Sequence, residues 1–302
     1  MLRLPTYVII TPARNEAAFI ELVLASVTAQ SVLPLRWVIV SDGSTDATDE
    51  IVTRWAKDFP WIELLRLESG PDRSFSSKVY ALRAGLEALA ALDYEALAYL
   101  DADLDFAPDY FEFLLGKLAA DPQLGLIGTP YVELDSEVYN FDFVSLEQVS
   151  GACQLFRRQC HDQIGGYKAI RGGAIDTVAC IEARMCGWKT RTFTEMHTTH
   201  HRKMGTAQAS QLRARFRTGG KDYAIGNHPI WELSRVLYQM TLPPRILRGA
   251  AIYAGYLLAC IKRKERILSP QARAFYRKEQ LQRLKNKMLS VLRISPGRGG
   301  AC

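Results

Sequence analysis

The 302-residue sequence holds no Cys-x-x-Cys pair, no apolar run long enough to cross a bilayer and no glycine-rich phosphate loop. Each absence excludes something. The six cysteines, at 153, 160, 180, 186, 260 and 302, lack the spacing of a zinc ribbon or a redox motif. A chain this long needs no disulfide framework, and a reducing, cytoplasmic setting suits these thiols. The longest apolar stretch, GAAIYAGYLLACI at 249–261, has 13 residues, whereas a spanning helix needs about 20. The opening MLRLPTYVIITP lacks the apolar run of a secretory leader. No G-x-G-x-x-G follows a strand-like segment and no G-x-x-x-x-G-K-[ST] occurs, which argues against a dinucleotide oxidoreductase and a P-loop enzyme. No G-x-S-x-G elbow is present either. The expectation is a cytoplasmic protein, soluble or peripheral on the inner face of the membrane.

What is present is an alternation. Strand-like runs at 6–11, 36–42, 61–67 and 96–102 are each followed by a segment with apolar residues at helical spacing. Pro108 stands near the start of the fourth such helix. Strands alternating with helices imply βαβ units: an α/β protein with a Rossmann-type mixed, mostly parallel sheet flanked by helices. In such sheets ligands sit beyond the carboxyl ends of the strands, and the polar signatures fall there. Residues 124–170 read as shorter strands with a turn at Gly165-Gly166-Tyr167, then a helix over 174–187 and a strand over 189–196. From 207 onward the pattern is helical and increasingly basic. Residues 261–293 carry eleven Lys/Arg against two Glu, so the net +6 of the chain lies in its tail. The expected division is a domain at 1–228 and a helical basic extension at 229–302.

Asp101, Asp103 and Asp105 follow a buried-looking strand at alternate positions. Carboxylates so close raise the cost of ionising one another, and a divalent cation is the simplest compensation. If the strand stays extended, Asp101 and Asp103 point the same way. Mg²⁺ typically shares its shell between one or two carboxylates and substrate phosphates. A calcium loop counted from Asp101 puts Glu112 at position twelve but Phe106 where the sharp turn calls for glycine. Asp42 ends the second strand, placed to accept a hydrogen bond from a base or ribose, while Ser44 or Thr45 is placed to cap the following helix. His197, His200 and His201 match no common zinc spacing with Cys180 and Cys186. His201 with Arg202 and Lys203 instead reads either as a cationic lip for phosphates or an acceptor, or as a solvated basic loop.

Four segments, VIITPARNEAAFI, WVIVSDGSTDAT, YLDADLDF and IGGYKAIRGGAIDTVACIEARMCGWKT, occur in order and at the expected strand ends. Together they resemble the inverting family 2 glycosyltransferases of GT-A fold, over residues 6–200. The resemblance implies a nucleotide site at Thr11, Pro12, Arg14, Glu16 and Asp42, with Lys78 and Asp101 beside it. It implies that Asp101 and Asp103 form the DxD pair holding Mg²⁺ or Mn²⁺, Asp103 being the direct ligand, and that Asp176 is the catalytic base. The implied partners are a UDP- or GDP-linked sugar donor and a glycan or lipid-linked acceptor. The chain departs from the family in having Ile175, not an acid, before Asp176. QLRARF at 211–216 misses the Q-x-x-R-W spacing of processive synthases by one residue, so transfer of one sugar is the expectation.

The carboxy-terminal segment puts Phe275, Leu281, Leu284, Met288 and Leu292 among Lys/Arg. It reads either as a helix lying on anionic lipid or as one packed on the protein with a solvated basic face. No RNA-binding motif is present, and nucleic acid is not an expected partner. Two other function classes stay open at this point. One is a calcium- or nucleotide-binding regulatory protein. The other is a nucleotidyltransferase, which would release pyrophosphate.

Overall fold

The computed structural model describes residues 3–68, 75–133, 145–170, 172–202 and 208–293. The chain divides into two compact units, Met1–Met204 and Gly205–Cys302. In the first, β1 (Tyr7–Ala13), β2 (Arg36–Asp42) and β4 (Ala96–Leu100) are almost wholly apolar and buried. Such strands need cover on both faces. Alternate residues sort the cover. Ile9, Trp37, Ile39 and Ala98 pack under α1 (Ile20–Thr28), α2 (Thr48–Asp58) and α4 (Tyr110–Ala120). Val8, Ile10, Val38, Val40 and Leu97 face α3 (Phe75–Ala88) and α6 (Ile175–Met185).

The seven-stranded sheet has the order β3-β2-β1-β4-β8-β6-β9, with β3 at Ile62–Leu67, β6 at Leu124–Gly128, β8 at Cys153–Arg157 and β9 at Lys189–Thr192. The pairs β3/β2, β2/β1 and β1/β4 are parallel, while β8 runs antiparallel to both its neighbours. Strand order reverses beside β1: β2 and β3 lie to one side and β4 to the other. That switch leaves a crevice beyond the carboxyl ends of β1, β2 and β4.

Several expectations need correction. The fourth strand stops at Leu100, so Asp101–Asp103 is a turn and not extended chain. Residues 124–170 contain a helix, α5 (Arg158–Ile164), and Gly165, left-handed at φ 70°, ends it. The strand expected at 189–196 ends at Thr192. A second, three-stranded sheet lies in the order β5 (Leu104–Asp105), β10 (Thr198–His200), β7 (Tyr131–Glu133). Neither Ser44 nor Thr45 caps α2: Asp46 Oδ1 accepts from the Thr48 amide at 3.1 Å, and Ser44 Oγ accepts from the Asn15 amide at 3.2 Å.

The second unit is helical: α7 (Gln208–Ile225), α8 (Pro229–Gln239), α9 (Leu247–Ile261) and α10 (Pro270–Arg293). The sequence reading set the division at residue 228, but α7 belongs with α9. A Cβ on Gly219 would stand 1.8 Å from the Ile252 carbonyl oxygen, and one on Gly255 1.9 Å from that of Phe216. The two backbones touch there, and only glycine permits it. Asn227 donates to Glu232 at 2.8 Å and accepts from Gln280 at 3.0 Å. Tyr256 donates to the Asn227 carbonyl at 3.1 Å. This buried network joins α8, α9 and α10.

Candidate active site

Two loops at the strand ends are latched to each other before any ligand is considered. Asn15, left-handed at φ 56°, accepts the Thr45 amide on its side-chain oxygen at 2.8 Å. The Glu16 amide donates to Thr48 Oγ1 at 2.8 Å, and the Ala17 amide to Asp46 at 3.0 Å. The SDGSTDAT segment therefore spends most of its polar side chains on holding the loop after β1. Asp42 remains turned toward the crevice, with Arg14 Nη1 3.3 Å from its Oδ2.

The crevice is a cleft of about 390 Å³ lined by Pro12, Arg14, Glu16, Asp42, Lys78, Asp101 and Asp103, with Ser77 and alanines between them. It continues into a second cleft of about 310 Å³ whose lining includes Tyr131, Gly151, Tyr167, Asp176 and His200. Lys78 and Asp101 line both. They are also ion-paired, Lys78 Nζ to Asp101 Oδ1. Burial pushes the Asp101 carboxyl up and Lys78 pulls it down, with burial prevailing.

Asp103 is more enclosed, its side chain 9% exposed. One of its oxygens accepts from Arg202 Nε at 3.0 Å and the other lies 3.5 Å from His200 Nε2. Arg202 also grips Glu16. Burial pushes Glu16 up to about 7, with Arg202 opposing and Asp103 adding to the rise. The small sheet makes this possible. β10 pairs with β5, and the His201 amide donates to the Asp103 carbonyl at 3.0 Å. His200 and Arg202 are thereby brought onto the aspartate turn.

The sequence-predicted residues divide plainly. Pro12, Arg14, Glu16, Asp42, Lys78, Asp101 and Asp103 line the first cleft and Asp176 the second. Thr11 does not join them: it is fully buried, and its hydroxyl accepts the Trp37 indole N–H at 2.9 Å. His201 is in neither lining and pairs with Asp105 at 2.7 Å, while Arg202 reaches the cleft through Asp103 and Glu16. Lys203 lies outside the described residues. The calcium-loop reading fails here. Asp105 is turned to His201, and Glu112 sits on α4 accepting from Ser31 at 2.6 Å. The zinc reading fails too, because Cys180 is buried against the Val149 backbone.

Sequence reasoning missed the setting of Asp176. A Cβ on Gly151 would lie 3.1 Å from the Asp176 Cβ, so a larger residue there would crowd the side chain. Ala174, left-handed at φ 69°, turns the chain into α6 one residue before Ile175. Tyr131, which lies in no motif, and Tyr167, of the Gly165-Gly166-Tyr167 turn, wall the second cleft.

The donor set at the aspartates bears on a divalent cation. Among the described residues no three carboxylates, histidines or cysteines converge as a protein-only metal site. Two carboxylates at a cleft wall fit Mg²⁺ or Mn²⁺ completing its shell with phosphate and water. Lys78 and Arg202 occupy those carboxylates in this structure.

The sequence profile of glycosyl transferase family 2 matches residues 8–177. A chondroitin synthase of Pasteurella multocida (strain Pm70) and a hyaluronan synthase of Pasteurella multocida are each 27% identical over 156 residues, half of this chain. The chain spans about 15% of the length of these relatives. Among solved structures, a mannosyltransferase from Pyrobaculum calidifontis in complex with GDP-Man and Mn²⁺ superposes with a TM-score of 0.60 at 21% identity, covering 95% of this chain and 88% of its own. S. aureus TarS 1–349 with UDP-GlcNAc gives 0.52 at 14% identity, covering 85% and 73%. The fold is GT-A.

Proposed function

The chain belongs to glycosyltransferase family 2, and from that premise we propose that it moves one sugar, with inversion, from a UDP- or GDP-linked donor to a hydroxyl of a glycan or lipid-linked acceptor. The product would be a cell-surface polysaccharide or glycolipid. One observation carries the reading: two adjoining clefts share Lys78 and Asp101, with Asp42 and Arg14 in the first and Asp176 in the second. A donor whose nucleoside lies at Asp42 and whose diphosphate lies at Lys78 would present its sugar toward Asp176.

Asp176 is the base. Its carboxylate takes the proton of the acceptor hydroxyl as that oxygen attacks the anomeric carbon. The bond from that carbon to the phosphate oxygen breaks on the opposite side, and a nucleoside diphosphate leaves. One positioned carboxylate suffices for this displacement and contributes roughly 10²–10⁴-fold. Lys78 steadies the departing phosphate by charge. Asp103 and Asp101 would hold a Mg²⁺ or Mn²⁺ ion, which when bound offsets charge on the leaving diphosphate. The mannosyltransferase complexed with GDP-Man and Mn²⁺ supports this assignment of the cation and the nucleotide.

Calorimetric titration of UDP and of GDP, with and without Mn²⁺, tests the first cleft. Metal-dependent binding of one nucleotide should vanish in Asp101→Asn/Asp103→Asn. Asp176→Asn should keep that binding while transfer falls by roughly 10²-fold or more. Undiminished transfer in Asp176→Asn would remove the base assignment. Release of pyrophosphate would turn the reading to a nucleotidyltransferase.

A further inference from the structure

We propose that the outer faces of α8 and α9 dock on an anionic lipid bilayer. The inference extends the transferase reading to where the acceptor is met, but it stands on surface chemistry alone. Along α8 every exposed side chain is apolar: Pro229, Ile230, Leu233 and Leu237. From Gly249 to Ile261, α9 exposes Tyr253, Leu257, Leu258 and Ile261 with two alanines and Cys260, and no charged group. Ile261 is 77% and Ile230 57% exposed. Single exposed apolar residues are ordinary, but two packed helices whose outer faces carry nothing else are not.

The charges around that surface are predominantly basic, with Glu265 the one exposed carboxylate among them. Arg245 and Arg248 stand at the amino end of α9, and Lys262, Arg263 and Lys264 follow its carboxyl end. The one carboxylate on α8 or α9, Glu232, is buried. Residues 205–302 carry 19 Lys/Arg against four Asp/Glu, a net of +15. A second copy of the chain would bring these cations against themselves, whereas anionic lipid headgroups complement them. At about 1.5 Å per residue, the 15 residues of α9 fall short of the roughly 30 Å hydrocarbon core. Among the described residues no helix is long and apolar enough to cross. The helices therefore lie in the plane of the interface, apolar side down.

This relocates the surface that the sequence pointed to. On α10 the exposed Leu281, Met288 and Leu289 alternate with exposed Gln282, Lys285, Asn286 and Lys287, which leaves no continuous apolar face among the described side chains. Residues 294–302 lie outside the described residues.

The test is co-sedimentation of the full chain with vesicles of phosphatidylcholine, with and without phosphatidylglycerol. Wild type should partition onto the anionic vesicles and come off at high salt. Leu233→Ser/Leu237→Ser and Leu257→Ser/Ile261→Ser should each weaken partition roughly tenfold while circular dichroism and nucleotide binding hold. Equal partition of both variants and wild type overturns the proposal. So does a vesicle-free dimer that both variants dissociate, since a second copy would then cover the face. Should the variants misfold, an environment-sensitive fluorophore on Cys260, in a Cys302→Ser background and read against Cys260→Ser, decides. A blue shift on anionic vesicles supports docking and an unmoved spectrum overturns it. Nucleotide titration in the same samples reports separately on the transferase reading.

Discussion

At the scale of single residues, the aspartates of the cleft hold protein cations. Arg202 bridges Asp103 and Glu16, which is the arrangement expected where carboxylates crowd one wall and need compensating charge. A divalent ion entering the site competes with that guanidinium for Asp103. Arg202→Ala should therefore bind Mn²⁺ more tightly in the absence of nucleotide. The Arg202 side chain is 48% exposed, so solvent screens the pair and its worth is at most about 1 kcal/mol, a gain of no more than about fivefold. Nucleotide affinity should fall in the same variant, because the cation that would turn to the phosphates is gone. Unchanged Mn²⁺ affinity by calorimetry would show that Arg202 does not contest the site. Gly151 acts at closer range. Gly151→Ala must push Asp176 aside, and misplacing a base by a fraction of an ångström lowers kcat by roughly tenfold or more. The donor KM should stay, since Gly151 is absent from the nucleotide cleft. A rise in KM with kcat intact would mean that the residue shapes donor binding instead.

At the scale of elements, the regular α/β repeat was legible in the sequence because its strands are continuous apolar runs and its first four helices keep one apolar face. The residues at its strand ends were legible for the same reason. Asp42, Asp101 and Asp103 stand where a parallel sheet exposes its ligand side. The second sheet was not legible. β5 has two residues and β7 and β10 three each, too few for a period to register, yet this sheet carries His200 and Arg202 to the aspartates. Thr11 was misread from its neighbours: it lies inside β1, where both faces are covered, and its hydroxyl is taken up by Trp37 before the strand reaches the cleft. Asn15 shows the remaining limit, since its value lies in a backbone angle. Asn15→Gly should keep the left-handed turn and lose only the bonds from the Thr45 amide and hydroxyl. Asn15→Ala should lose turn and bonds alike and cost roughly 1–2 kcal/mol. Thermal melts should rank wild type above the glycine variant and that above alanine. Nucleotide affinity should follow the same order, because Arg14 and Glu16 ride on the turn. An alanine variant as stable as wild type would show the latch to be idle.

At the scale of the whole molecule, charge is unevenly shared: residues 1–204 carry 19 Lys/Arg and 28 Asp/Glu, the remainder 19 and four. In so basic a unit, two of its four acids, the buried Glu232 and the partly buried Asp222, converge on one arginine. Arg235 pairs with Asp222, and its Nη1 lies 3.6 Å from Glu232 Oε1, an oxygen that accepts no hydrogen bond. Burial pushes Glu232 up to about 7, the Asp222 charge adds to the rise, and Arg235 and the Asn227 amide oppose it. Asp222 is pushed up as well, by burial. A carboxyl whose folded pKa exceeds its unfolded value of about 4.3 binds its proton more tightly when folded. Its stabilising contribution is full below that value and is lost as pH rises through about 7. Glu232→Gln keeps an acceptor for Asn227 and never ionises. Near pH 5 the variant and wild type should melt together; near pH 8 the variant should melt higher, since wild type then carries a buried, under-compensated anion. The difference between the two proteins cancels the opposite drift of surface carboxylates elsewhere in the chain. A melting difference that stays constant from pH 5 to 8 would show that Glu232 is ionised throughout, held by Arg235 against its burial.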